Sequence, residues 1–190
     1  MAEEKQDRRS LRTQEMLIHT LLELIEKKQY DQISVKDIIQ KANVGRSTFY
    51  AHYQNKDDLL LSGLEHHLEH LAQQITLDGD CGLKFNVSPL FQHAHGHVEI
   101  YRTLIWGSGF KLLIEDGQAV LSREIEARLV SLLADKSGTS IPLPVLANIM
   151  SGVLLVLLKW WLDNKTPYPP KRMDEIFQQL MMPGIRTALE

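Results

Sequence analysis

ISVKDIIQKANVGRSTFYAHYQNKDDLL, running from Ile33 to Leu60, decides the fold. Ser34 precedes an apolar-periodic stretch, Asp37 stands three places on, and Ile33 and Ile38 flank it. This is a capping-box pattern with a hydrophobic staple, Ile33 at N′ and Ile38 at N4. It predicts a short helix ending near Lys41. Ala42-Asn43-Val44 then reads as a tight turn, because Asn tolerates the left-handed backbone better than any residue except Gly. Gly45 serves as the N-cap of a second short helix over about 46–53, with Val44 and Phe49 at its staple positions. Asn55 caps the next helix, and Asp57 and Asp58 fall in its first turn, where acids suit the helix dipole. Leu59, Leu64, Leu68 and Leu71 carry that helix to about Ile75. Two helices of roughly 7–8 residues joined by a turn of about 3–4 match a helix-turn-helix.

The second short helix divides into two faces. At helical spacing Phe49 turns toward the preceding helix and completes a small core with Ile38, Ile39 and Val44. Arg46, Ser47, Thr48, Tyr50 and His52 are left on open positions, where a recognition helix meets base edges in the major groove. Arg can pair with guanine through two hydrogen bonds, and Thr can bond a base or touch a thymine methyl. Tyr50, His52 and Tyr53 can reach flanking phosphates. Lys56 occupies the first position of the following helix, where a cation opposes the dipole. A phosphate held at that helix N-terminus would make the same placement favourable.

Outward from this region the pattern is helical. Leu17, Leu21, Leu24 and Ile25 form an apolar stripe over about 8–28, followed by a short turn at Gln29-Tyr30-Asp31. Strand signals are scarce, and residues 77–87 read as a loop. Ser88-Pro89 starts a short helix that breaks near Gly96, and another reaches Trp106. A long helix is expected over about 110–135, a turn over 136–142, an apolar helix over 143–163 and a last helix over about 171–182. The expectation is an all-α chain: an N-terminal three-helix helix-turn-helix domain over 1–55 and a C-terminal helical bundle over 56–190.

The 190 residues, 44% hydrophobic and 24% charged, can bury a real core, which excludes a disordered tail. One cysteine, Cys81, excludes an intramolecular disulfide framework and a C-x-x-C zinc site. The polar N-terminus has no apolar core of a secretory signal, so a cytoplasmic address is expected. Net charge is −3, yet residues 1–56 hold 10 Lys and Arg against 8 Asp and Glu, while residues 57–190 hold 11 against 16. A locally basic head on an acidic body suits a protein that meets nucleic acid through one end.

Val145–Leu162 is apolar nearly all round, but Asn148, Ser151 and Lys159 interrupt it. A helix buried on every face, partly by a second chain, fits better than a membrane span. Met173, Ile176, Phe177, Leu180 and Met181 add a further apolar stripe in the last helix. Two such helices and their symmetry mates would make a four-helix homodimer interface. Among the 8 histidines, His66 with His70 and His93 with His97 are four apart, a spacing that can chelate metal, but no carboxylate is clearly paired with them. No metal site or cofactor is expected. No G-x-S-x-G, P-loop, dinucleotide fingerprint or H-E-x-x-H is present, so an enzyme is not expected.

The stretch Ile33–Leu60 resembles the DNA-binding signature of the TetR/AcrR family of transcriptional regulators. That signature joins a Thr- or Ser-led short helix, an A-G-V turn, an S-x-G-T-F/L-Y-x-H/Y-F recognition helix and a Lys two or three residues beyond. The resemblance implies a ligand-responsive regulator, a repressor, reading a palindromic operator in double-stranded DNA as a homodimer. It implies that Ser34 contacts a phosphate, that Gly45, Arg46, Ser47, Thr48 and Tyr50 face the groove, and that Tyr53 and Lys56 hold the backbone. Asn43 departs from the usual turn glycine and Gly45 from the usual serine cap, which leaves Gly45 only its backbone for contact. The resemblance further implies a C-terminal cavity for a small-molecule effector of unknown identity, for which Tyr101, Trp106, Phe110 and Trp160 are the aromatic candidates, with Trp161 beside them. No membrane partner is expected. The competing reading is a helical protein-interaction module of the same fold that does not bind DNA, though such a module has no reason to keep Thr48, Tyr50 and Lys56 together.

Overall fold

The computed structural model describes residues 2–78, 82–107, 109, 111–133 and 139–189. The head begins with α1 (Ala2–Ile25), followed by a 3₁₀ turn at Tyr30–Gln32, α2 (Val35–Lys41) and α3 (Arg46–Tyr50). The body comprises α4 (Lys56–Ala72), a hairpin of β1 (Ile75–Asp78) and β2 (Gly82–Phe85), α5 (Ser88–Gly96), α6 (Val98–Ile105), a π-helical turn at Lys111–Asp116, α7 (Gly117–Leu133), α8 (Leu143–Asp163) and α9 (Pro170–Ala188). The described residues are all-α apart from that hairpin.

The head folds around its own small core. Leu17, Leu21 and Ile25 of α1 are buried together with Ile33, Ile38 and Phe49, which fixes the angle between α2 and α3. The body is built on α7, which packs along both α4 and α8. Leu121, Ile125 and Leu129 of α7 and Leu154, Leu158 and Trp161 of α8 are almost fully buried. Phe91 of α5 meets Trp161 edge to face, with ring centroids 5.3 Å apart. α9 closes the far side against α5 and β2, where Phe85 and Phe177 form a second edge-to-face pair.

The expected loop at 77–87 is corrected at both ends. β1 and β2 pair antiparallel, with Ile75 opposite Phe85 and Thr76 opposite Lys84. Ile75 and Phe85 are fully buried, so burial of one face holds two strands too short to stand alone. The body also ties the hairpin from outside. Arg128 Nε donates to the Ile75 carbonyl at 3.0 Å, and Gln178 donates to the Phe85 carbonyl. α4 consequently ends at Ala72, three residues before the expected Ile75.

α8 occupies 143–163, as the apolar run predicts, but it is not buried on every face. Val145, Ile149, Val156 and Trp160 are exposed by 44–65% at spacings of four, seven and four, which places them on one side of the helix. α9 runs through Pro183 to Ala188, beyond the expected stop at Met182. A proline inside a helix costs about 3 kcal/mol. Here Met182, Ile185 and Ala188 are all buried, and the Ala188 carbonyl accepts hydrogen bonds from Ser140 N and Oγ, both at 3.0 Å. Burying two large apolar side chains at roughly 1.5–3 kcal/mol each offsets the proline.

Candidate nucleic-acid interface

Each short helix starts with the device its sequence implies. Ser34 Oγ accepts from Asp37 N at 3.2 Å, and Asp37 Oδ2 accepts from Ser34 N at 2.8 Å, completing the capping box of α2. The Ser34 hydroxyl also donates to Asp37 at 2.7 Å, so its proton is directed into the cap. These bonds, with the Lys28 ammonium 2.9 Å away, hold the Asp37 carboxyl well below the usual carboxylate range. The turn closes with Asn43 at φ 52°, in the left-handed region. Gly45 caps α3 without a side chain, at φ −71° and ψ 151°, an extended backbone open to any residue. Asn55 Oδ1 accepts from Asp57 N and Asp58 N, both at 2.8 Å, and starts α4.

The caps leave one outward face of distinct chemistry. Gly45, Arg46, Ser47 and Tyr50 are exposed and Thr48 is half-buried at the edge, while Phe49 behind them is fully buried. Among the described residues the side chains of Arg46, Ser47 and Thr48 make no hydrogen bond or ion pair, so their donors are available. Tyr50 stands out from the helix with its ring edge to face against Phe49 at 5.4 Å, which limits the orientations its hydroxyl can take. By contrast, Lys28 and Lys41 are already matched by Asp37 and Glu23.

Three of the backbone-holding candidates have more structural duty than the sequence conveys. Tyr53 is corrected: it is only 4% exposed, its hydroxyl is shut off from solvent, and its ring packs on Phe49 at 6.0 Å. It belongs to the head core rather than to the open face. His52 is half-buried against the Tyr53 ring. Lys56 Nζ donates to the Tyr30 carbonyl at 2.7 Å and lies 4.2 Å from the centre of the Tyr30 ring. That bond uses one of three ammonium donors and leaves the half-exposed side chain two more. Tyr30 in turn donates from its hydroxyl to Asp57. Burial, and then the Asp57 carboxylate, push the Tyr30 hydroxyl far above its ordinary pKa. The Tyr30–Lys56–Asp57 interlock was missed in the sequence, where Gln29-Tyr30-Asp31 reads only as a turn.

The aromatic effector candidates separate. Tyr101 is buried at the edge of an apolar cavity. Trp106 and Trp160 lie at the surface, Trp106 on the wall of a separate cleft of about 210 Å³. Trp106 is 69% exposed and donates its indole N–H to Asp163 at 3.2 Å, and Trp160 stacks on Tyr168. Phe110 and Cys81 lie outside the described residues, as does the His66 side chain. The His93 and His97 rings are 4.7 Å apart, and among the described residues no group of three metal-ligating side chains forms.

This geometry defines a helix-turn-helix head of the TetR type on a helical body. Residues 17–62 match the family model for bacterial regulatory proteins of the tetR family. YxbF of Bacillus subtilis (strain 168), described as an uncharacterized HTH-type transcriptional regulator, is 28% identical over 185 residues, covering 94% of this chain and 47% of YxbF. DhaS of Lactococcus lactis subsp. lactis (strain IL1403), described as the HTH-type dhaKLM operon transcriptional activator, is 40% identical over 53 residues, 28% of each chain. The chain thus spans about half the length of YxbF. Among solved structures, a TetR transcriptional regulator from Streptococcus agalactiae 2603V superposes with a TM-score of 0.53 at 25% identity, covering 94% of this chain and 98% of that one. The dihydroxyacetone kinase operon activator DhaS superposes with a TM-score of 0.61 at 17% identity over the same shares, a likeness of fold. Over residues 17–62 the chain thus matches the DNA-binding region of the tetR family, and its fold over most of its length is similar to that of the solved TetR regulator.

Proposed function

We propose that the protein is a cytoplasmic, ligand-responsive transcriptional regulator that binds a palindromic operator as a homodimer. One observation carries the reading: Arg46, Ser47, Thr48 and Tyr50 project from a helix fixed by Phe49, and no partner among the described residues uses the polar groups of the first three. A protein-interaction module would have no need of such a set. Arg46, Ser47, Thr48 and Tyr50 read the groove. Gly45 offers backbone, and His52, Lys56 and the N-terminus of α2 at Ser34 hold the phosphates. Tyr53 supports this face from behind. We take residues 1–55 as the reading head and 56–190 as the body that pairs and senses. The protein is not an enzyme and needs no cofactor.

The exposed stripe on α8 supports the dimer. Val145, Ile149, Val156 and Trp160 form an apolar face on a helix long and apolar enough to cross a membrane, of which half is buried within the chain. Covering that face with a second copy removes it from water without a bilayer. Two heads then read half-sites about 34–36 Å apart. Repression is the proposed direction, because occupying an operator blocks transcription with no further surface. Selection of bound fragments from randomised duplex DNA tests the whole reading. An inverted repeat is expected, and a pool with no enriched sequence would overturn it. A promoter fused to the selected site then shows whether expression falls when the protein is present.

A further inference from the structure

We propose that the cavity between head and body, walled by α1, α4, α5 and α6, binds an uncharged, ring-sized apolar molecule through one hydrogen bond to Tyr101. The cavity measures about 190 Å³. Its first wall is α1, through Ile18, Leu21 and Leu22, and its second is α4, through Leu60 and Leu64. Gly63 sets their spacing, since a Cβ there would stand 3.1 Å from Ile18 Cγ2. Among the described residues no Lys, Arg, Asp or Glu lines the space. A charged ligand would therefore lose hydration and find no permanently charged partner, only the His93 and His97 imidazoles, at a cost of several kcal/mol or more.

The polar groups are few and adjacent, the His93 ring meeting the Tyr101 ring edge to face at 5.9 Å. His93 and His97 lie together at the end where His97 is exposed. Tyr101 lies deeper, only 6% exposed, and its hydroxyl makes no hydrogen bond among the described residues. Burial raises its pKa, so it keeps its proton and can donate. A carbonyl or ether oxygen on the ligand would accept a hydrogen bond from it. Size sets the rest. An apolar cavity of about 150 Å³ accepts benzene, so this one accepts a six-membered ring with a small polar substituent. A neighbouring space of about 60 Å³ shares Leu64 and Tyr101 and reaches Leu155 and Leu158 of α8, giving room for a short substituent.

The position matters as much as the chemistry. Leu21 lines this cavity and also belongs to the core against which α2 and α3 pack. An occupant would touch the helix that supports the reading head directly. That regulatory consequence rests on the function proposed above, whereas the binding does not.

Calorimetric titration of the full chain with acetophenone, toluene and benzoate tests the proposal. Acetophenone is a neutral ring with an acceptor, toluene lacks the acceptor, and benzoate is charged. Acetophenone should bind, toluene should bind about fivefold more weakly, and benzoate should give no heat, a neutral hydrogen bond being worth roughly 0.5–1.5 kcal/mol. Tyr101→Phe should weaken acetophenone about fivefold and leave toluene unchanged, which a merely structural role would not produce. Ile18→Trp should fill the space and block both, and Tyr101→Phe carries the test if that variant fails to fold. No binding of acetophenone at millimolar concentration, equal binding of benzoate, or an unaltered Tyr101→Phe variant would each overturn the inference. Binding of the unliganded chain to duplex DNA, measured in parallel, separates the two readings. A chain that binds DNA but none of these ligands loses only this inference.

Discussion

The Lys56 ammonium sits 2.7 Å from the Tyr30 carbonyl oxygen and over the Tyr30 ring, joining the start of α4 to the turn that follows α1. The same lysine that could hold a phosphate therefore also fastens the head to the body. A cation in the first turn of a helix opposes the dipole, and this carbonyl and ring supply the compensation.

Lys56→Ala should accordingly show two effects. Stability should fall by about 1 kcal/mol, from one hydrogen bond and an exposed cation–π contact. DNA affinity should fall alike for all sequences, with the slope of log K against log salt reduced by about one. Urea denaturation reads the first and binding at several salt concentrations the second. Thr48→Ala should instead change which bases are preferred, and a uniform loss of affinity would contradict its place on the reading face.

Gly45→Ser should strengthen the head. A Cβ at this position meets only Thr48 Oγ1 at 3.6 Å and Ser47 Oγ at 3.7 Å, ordinary contacts, and the backbone is extended. The serine would cap α3 and add a hydroxyl at the DNA-facing end. Stability should rise by a few tenths of a kcal/mol and operator affinity should rise with it. A loss of affinity would show that DNA approaches too closely for any side chain there.

Asp37 makes stability depend on pH in the acid range. Its folded carboxyl is held below the unfolded value of about 3.9 by Ser34 and then by Lys28. The unfolded chain therefore binds the proton more tightly, and acid favours unfolding. The contribution is fully present above the unfolded pKa and disappears as pH falls through the folded one. Asp37→Asn should flatten the pH dependence of the melting temperature below about pH 4, while at neutral pH it lowers stability by weakening the capping box.

Val156→Arg should separate pairing from folding. The side chain is 65% exposed in the single chain, so its replacement should change monomer stability by no more than about 0.5 kcal/mol. On a face covered by a second copy it would bury a charge without a partner. Sedimentation should then show a monomer that retains its helical spectrum. An unchanged dimer would move the interface elsewhere.

The head was legible because its signals are local. Ser34 with Asp37, Asn43 and Asn55 each fix a backbone hydrogen bond or dihedral within a few residues, and the structure carries all of them. The departures arose where distant contacts decide. Ile75, Thr76 and Leu77 do alternate, but the run is too short to outweigh a helix until Phe85 pairs with Ile75. Pro183 marks a helix end by propensity, and only the burial of Ile185 and Ala188 carries α9 past it. For the candidate site, residue types pointed to Arg46, Ser47, Thr48 and Tyr50, whose exposure the structure gives. They could not reveal that Tyr53 points inward, that Trp106 and Trp160 point outward, or that Lys56 reaches back across 26 residues to Tyr30.

Because α4 starts at the Asn55 cap beside the recognition helix and then packs along α7, it is a single stiff rod common to both halves. Seventeen residues make it about 25 Å long, and a tilt of about 5° at its buried end swings the other tip by about 2 Å. In the proposed homodimer that swing doubles across the twofold axis, a sizeable mismatch for two hands meant to enter successive turns of one duplex.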